Sequence, residues 1–216
     1  VLVRDCSFDY PATHRFLHGE FQYVAAWNPP SNGNVMPSFF GGKRNSFVNN
    51  TVRWCNAPVY LGSEEMVIEN CLFSDIEWDV NSDGGSGAVM IGKNSVFRRN
   101  TVTRCGNSEG VRAVDEGTTL THNRLSNMSN LQHDGSALNV GTTKHYQVLV
   151  SHNWAHDCNR QGMRFDYHGS GIRRQDGQLY GDGVYMNNVT WNTTDNEVKG
   201  DRHLILNNTV LRNNHY

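Results

Sequence analysis

The chain has 216 residues and a formal charge of −2 with His neutral; 19% of its residues are charged, 10% are aromatic, and it holds 21 Gly and 5 Pro. Such a balance excludes the broad basic field that nucleic acid or an anionic membrane surface demands, and no apolar run reaches the ~18 residues of a membrane span. Aromatic and β-branched residues spread over the whole length exclude a disordered chain, so a packed, turn-rich fold is expected.

In chain order, residues 1–8 are strand-like and lack the basic start and long apolar centre of a secretion signal. The chain also closes on a strand-like stretch, 204–210, so it is read as a portion of a longer solenoid with uncapped ends. Residues near 9–36, which include Trp27 ahead of Asn28-Pro29-Pro30, do not fit a coil and are expected to form a long loop.

A degenerate repeat organises the remainder. A short segment ends in Asn or Cys, and after one further residue comes a mostly apolar one. The marker positions are Cys6, Asn50, Cys71, Asn100, Asn123, Asn153, Asn188 and Asn208. From Asn50 onward the intervals are 21, 29, 23, 30, 35 and 20 residues, a core of about 20 with insertions in some turns. Ahead of the markers lie second strands at 57–62, 87–92, 110–115, 136–141, 162–167 and 197–200, bounded by Gly, Asn and Asp, with no helical periodicity anywhere. An all-β parallel solenoid of about seven to eight coils follows, folded as one domain over 1–216. An insertion is expected near 168–182.

Asn suits a repeated turn because its amide can bond its own bend and the equivalent Asn one coil away. The marker Asn are therefore expected to be buried and structural, with Cys6 and Cys71 as small buried substitutes. On these markers and the Gly-bounded strands the chain resembles the pectate-lyase-like superfamily of right-handed parallel β-helices. The resemblance covers essentially the whole chain. It implies that fold, and a groove along one parallel sheet that takes a linear polymer. Neither the Gly-His-Gly of polygalacturonases nor a clear acidic calcium cluster of pectate lyases is present.

Cys55, Cys105 and Cys158 each fall five residues after a marker and share one column. Two coils apart they are separated by about 9.6 Å, beyond the ~7 Å Cα limit of a disulfide, so free buried thiols are expected. No CxxC pattern occurs, so no metal site and no cofactor are expected, calcium being the one ion left open. Of the Asn-x-Ser/Thr sequons, Asn127 and Asn192 lie off the marker column and are the expected glycosylation sites, whereas Asn188 is a column residue. His152 and His156 read as structural, and Trp54 and Trp154 as cover for turns or surface.

The chemistry is expected on one strand set. If Val111, Ala113, Met163 and Phe165 point inward, alternation sends Arg112, Arg164 and Asp166 outward, with Asn139 of the intervening coil beside Asp166. His133 and Asp134 add an imidazole and a carboxylate at the edge, and His168 opens the insertion that would wall the groove. Asp134, Arg164, Asp166 and His168 are the candidate catalytic residues, and Arg112, His133 and Asn139 the candidate substrate contacts. Glycoside hydrolysis by Asp134 and Asp166, or β-elimination with Arg164 or His168 as base and Asn139 as stabiliser, both fit. The expected function is a secreted or cell-surface β-helix that binds a polysaccharide along this groove, with cleavage open. The alternative is a non-catalytic structural or adhesive solenoid, copies stacking end to end in a rod, filament or fibre.

Overall fold

The computed structural model describes residues 1–11, 38–39, 41–55, 58–78, 87–106, 109–131, 134–141, 145–166 and 181–211. Among the described residues the first seven coils contribute three short strands each and the last contributes two, and like strands stack in parallel into three sheets. The first sheet has eight strands from Leu2–Arg4 to Leu204–Leu206, the second eight from Ser7–Asp9 to Thr209–Leu211. The third has seven, in the order Ser38–Phe39, Val59–Leu61, Gly87–Ile91, Glu109–Ala113, Ser136–Val140, Gln161–Phe165 and Glu197–Val198. The sequence reading separates at least two strands per coil; the structure has three, the first two being joined by a bend of only two residues. The expected loop near 9–36 and insertion near 168–182 fall almost wholly outside the described residues, although Asp9 itself ends the strand Ser7–Asp9.

Alternation sets the interior. Phe47, Ile68, Phe97, Leu120, Val150 and Tyr185 stand in register on the first sheet and point into the core, as do Val52, Phe73, Val102, Leu125 and Ala155 on the second. The third sheet closes the core with Leu61, Ile91, Ala113, Val140 and Phe165. Phe47, Phe73 and Phe97 stack in series with centroids 6.2 and 6.1 Å apart. Each fully buried apolar side chain here contributes ~1.5–3 kcal/mol relative to exposure.

The bends are left-handed. Between the first two sheets Asp5, Asn49, Asn70, Arg99, His122, His152, Asn187 and Asn207 all hold φ between 50° and 57°. Asn and Asp tolerate this region best, and each residue there costs on the order of 1 kcal/mol or more. The geometry offsets that cost by turning the backbone N–H toward the next coil: Asn70 donates to Arg98 O at 3.2 Å, and Arg99 to Thr121 O at 3.2 Å. The parallel ladder thus runs through the corner without a break.

One residue further on, the marker Asn form a buried ladder. Asn123 Oδ1 accepts from Asn100 N at 2.9 Å while its Nδ2 donates to Phe97 O at 3.0 Å, so one amide satisfies two backbone groups of the coil before it. Asn153 repeats this toward Asn123 and Leu120, and Asn188 toward Asn153 and Val150. Cys71 imitates the pattern weakly: its Sγ lies 3.4 Å from both Asn50 N and Phe47 O. Cys6, in the first coil, is exposed rather than buried, because no coil covers it among the described residues. Cys55, Cys105 and Cys158 are free and buried; burial pushes the Cys158 thiol up to about 12 and that of Cys71, in the marker ladder, up to about 11.

Replacing Asn123 by Ala should lower unfolding free energy by about 1–3 kcal/mol, since it strands a buried N–H and a buried C=O. Replacing Cys71 by Asn should leave stability unchanged or raise it by about 1 kcal/mol, because two weak sulfur contacts become amide bonds. Chemical denaturation of both variants against the parent checks the pair, and a neutral Asn123→Ala would show that the ladder does not carry the bend.

Candidate functional site

The third sheet does not alternate strictly. Ala88 and Val89 are both core residues, as are Ala137 and Leu138, so two consecutive positions face inward. Gly110 occupies the first of these in its strand, where a Cβ would meet Ala137 O at 2.6 Å and Met128 Sδ at 2.9 Å. This double step turns the preceding residue outward. Glu109, which strict alternation would place in the core beside Val111, instead joins the outer face with Arg112, Asn139 and Arg164.

On that face Arg164 is the hub. Its Nη1 approaches Asp134 at 3.1 Å and Glu109 at 3.6 Å, its Nη2 Asp166 at 2.9 Å, and its Nε Glu197 at 2.9 Å. The Nε contact is an ion pair without hydrogen-bond alignment. Burial works against the Arg164 charge, but the four carboxylates outweigh it and its pKa rises. Lys199 closes the far side at 2.6 Å from Glu197 and 3.2 Å from Asp166; its hydrogen bond to Glu197 is the main cause of a raised pKa. Facing outward does not expose these side chains: Arg112, Asn139, Arg164 and Asp166 are all buried. Solvent is reached at the rim, where the Asp134 side chain is 71% exposed, Lys199 38% and Glu197 24%.

Glu109 lies at the floor. Ser136 N donates to its Oε2 at 2.9 Å and Asn139 Nδ2 to its Oε1 at 2.9 Å. Ser136 Oγ stands 2.6 Å from that Oε2 and 3.0 Å from Leu138 O. One hydroxyl carries one proton, so both contacts are made at once only when Glu109 supplies a second. The electrostatics agree: burial pushes Glu109 up to about 7 against the pull of Ser136, Arg164 and Arg112. Asn139 therefore faces Arg164 in register and bonds Glu109, rather than serving Asp166 as expected. Its Oδ1 is buried and has no donor among the described residues. Asp166 is anchored through its backbone, whose carbonyl sits 3.2 Å from Nε2 of His145; burial lowers His145 to about 4, so that ring is neutral.

The structure thus brings Asp134, Asn139, Arg164 and Asp166 together and puts Arg112 close enough to act on Glu109. His133 and His168 lie outside the described residues. Glu109, Glu197 and Lys199 were not singled out from sequence. Glu197 and Lys199 sit in a recognised strand segment and carried a signal in their alternation; Glu109 carried none. Among the described residues no group of three or more His, Cys, Asp or Glu side chains is arranged to hold a metal ion. Of the sequons, Asn127 is exposed, Asn192 is partly buried with its Nδ2 on Asp157 at 2.7 Å, and Asn188 is buried in the ladder.

A carboxyl whose folded pKa is raised contributes stability that is full below its unfolded pKa and lost as pH rises through the folded one. Glu109 should accordingly cost the native state roughly 3 kcal/mol between pH 4.5 and pH 7.5. Carbon NMR of the Glu109 carboxyl should show a midpoint near 7, and Glu109→Gln should flatten this part of the stability profile. A midpoint near 4 would mean that the second proton on Ser136 is absent.

No helix among the described residues is long and apolar enough to cross a membrane. No curated protein and no solved structure gives a match to the chain. A family model described as "Right handed beta helix region" matches residues 39–209, which take in most of the three stacked sheets. With its parallel strands in three sheets and about eight coils, the chain belongs to the right-handed β-helix family.

Proposed function

We propose that this protein is an extracellular or cell-surface β-helix that binds a polysaccharide across the outer face of its third sheet and hydrolyses it. The observation that carries the reading is the fan of carboxylates on Arg164, in which each guanidinium nitrogen meets a different acid. Of these acids, Asp134 and Glu197 reach solvent and can touch a substrate. Their contacts with Nη1 and Nε of one planar group hold their oxygens no more than about 8 Å apart, within the span of paired glycosidase carboxylates. One would protonate the leaving oxygen while the other acts on water or on the sugar. Arg164 keeps them fixed, and Asn139, Asp166 and Glu109 are positioning residues.

Elimination of a uronate needs a base that gives up its proton near neutrality. Arg164 and Lys199 are held protonated by the carboxylates around them, which favours hydrolysis. A second reading has a specific observation of its own. The same ion pairs tie the coils of Glu109, Asn139, Arg164 and Glu197 to one another, as a cross-link in a structural or adhesive rod would.

Incubating the protein with neutral and uronate-containing glycans should release reducing ends without unsaturated uronates. Asp134→Asn and Glu197→Gln should each lower turnover at least 100-fold while leaving the fold intact, since both side chains are at the rim. Unsaturated products would replace hydrolysis by elimination, and folded protein that neither binds nor cleaves any glycan would leave the structural rod as the function.

A further inference from the structure

Sheet two carries a feature that the charged cluster does not use. Over most of its length its outward positions mix small hydroxylated residues, such as Thr103 and Ser126 with oxygens 2.9 Å apart, with charged ones such as Asp9, Arg53 and Arg124. Two adjacent coils depart from this. Trp154 projects from the strand Trp154–His156 with 55% of its surface exposed, although the sequence suggested a covering role. On the next coil Trp191 stacks flat on His156, centroids 4.2 Å apart and planes within 3°, and meets the edge of Trp154 at 6.2 Å and 69°.

The support beneath this pair is rigid and polar. His156 is buried; its Nδ1 lies 2.7 Å from Asp157 Oδ2, and Asp157 Oδ1 accepts from Asn192 Nδ2 at 2.7 Å. His156 Nε2 accepts from Nε of Arg124 at 3.3 Å. Arg124 is exposed and stands opposite Trp154 in the register of adjacent coils, their Cα atoms about 5 Å apart along the sheet. Isolated exposed aromatics need no explanation, but two indoles inclined at 69°, one braced on a fixed imidazole and the other paired in register with a tethered cation, form a preorganised surface.

We propose that Trp154, Trp191 and Arg124 form a second glycan-contact site, on sheet two, for an acidic pyranose. The apolar C–H face of the ring packs on Trp154 against the edge of Trp191, and the sugar carboxylate pairs with Arg124. The two-pronged geometry of guanidinium and carboxylate gives this site a preference for uronates over neutral sugars. The proposal rests on the glycan reading of the protein but not on cleavage at sheet three.

Calorimetric titration of the full chain with galacturonate and with glucose oligomers tests it, with far-UV circular dichroism confirming that each variant is folded. The parent should bind the uronate oligomer more tightly than the glucose oligomer. Trp154→Ala should weaken uronate binding at least tenfold, and Arg124→Gln should abolish the preference while retaining the glucose affinity. Asp134→Asn should lose turnover and keep the uronate affinity set by Trp154. If Trp154→Ala binds like the parent while Asp134→Asn loses turnover, the sheet-two site is wrong and hydrolysis at sheet three stands. If Trp154→Ala loses binding in a protein that cleaves nothing, the site stands and hydrolysis falls. Binding of neither oligomer by the parent overturns the site.

Discussion

The amide of a buried Asn, bonded at once to an N–H and a C=O of the preceding coil, is the interaction on which the rest of this solenoid depends. A parallel coil must turn sharply between sheets, and a sharp turn takes backbone groups out of the strand ladder while keeping them out of water. Buried and unpaired, each such group would cost about 1–3 kcal/mol, and several coils would suffer together. One carboxamide per coil supplies the missing acceptor and donor. Cys71 shows what happens when the chain does without: the contacts remain but lengthen to 3.4 Å.

The left-handed corner is the other half of this arrangement. Holding φ positive aims the corner N–H at the next coil, so that the turn propagates stacking and does not interrupt it. Because the corner side chain then points into solvent, the position accepts Asn, Asp, Arg or His, and stacks such as His122 on His152, 4.8 Å apart, arise from repetition alone. The surface of a β-helix is therefore free to carry function, and two of its sheets depart from plain repetition by different means. Sheet three buries charge around Arg164 and opens at a rim of Asp134, Glu197 and Lys199, whereas sheet two carries the paired indoles of Trp154 and Trp191 on adjacent coils.

Charge burial on sheet three is tolerated because it is shared. A lone guanidinium out of water would be strongly destabilised, and so would a lone carboxylate. Four acids with Arg112, Arg164 and Lys199 neutralise one another, and Glu109 relieves what remains by keeping its proton to near neutrality. The network fixes rim groups that would otherwise be mobile, a condition for any site that must hold two carboxylates at a working distance.

The sequence by itself determined the architecture. Marker Asn at shifting intervals, apolar residues at a period of two and Gly-bounded strands identify a parallel coil, since those constraints are local and repeat in every turn. It also placed Asp134, Asn139, Arg164 and Asp166 on a common face, because alternation along a strand follows from pleat alone. What only the tertiary structure decided lies where alternation fails or where burial depends on more than direction. Glu109 reaches the outer face through a double inward step that Gly110 permits next to Met128 and Ala137, a contact between coils with no mark in the local pattern. Exposure likewise does not follow from direction or polarity: Arg164 faces away from the core and is buried, while Trp154 is apolar and stands in solvent. Orientation is a property of one strand, but accessibility belongs to everything packed around it.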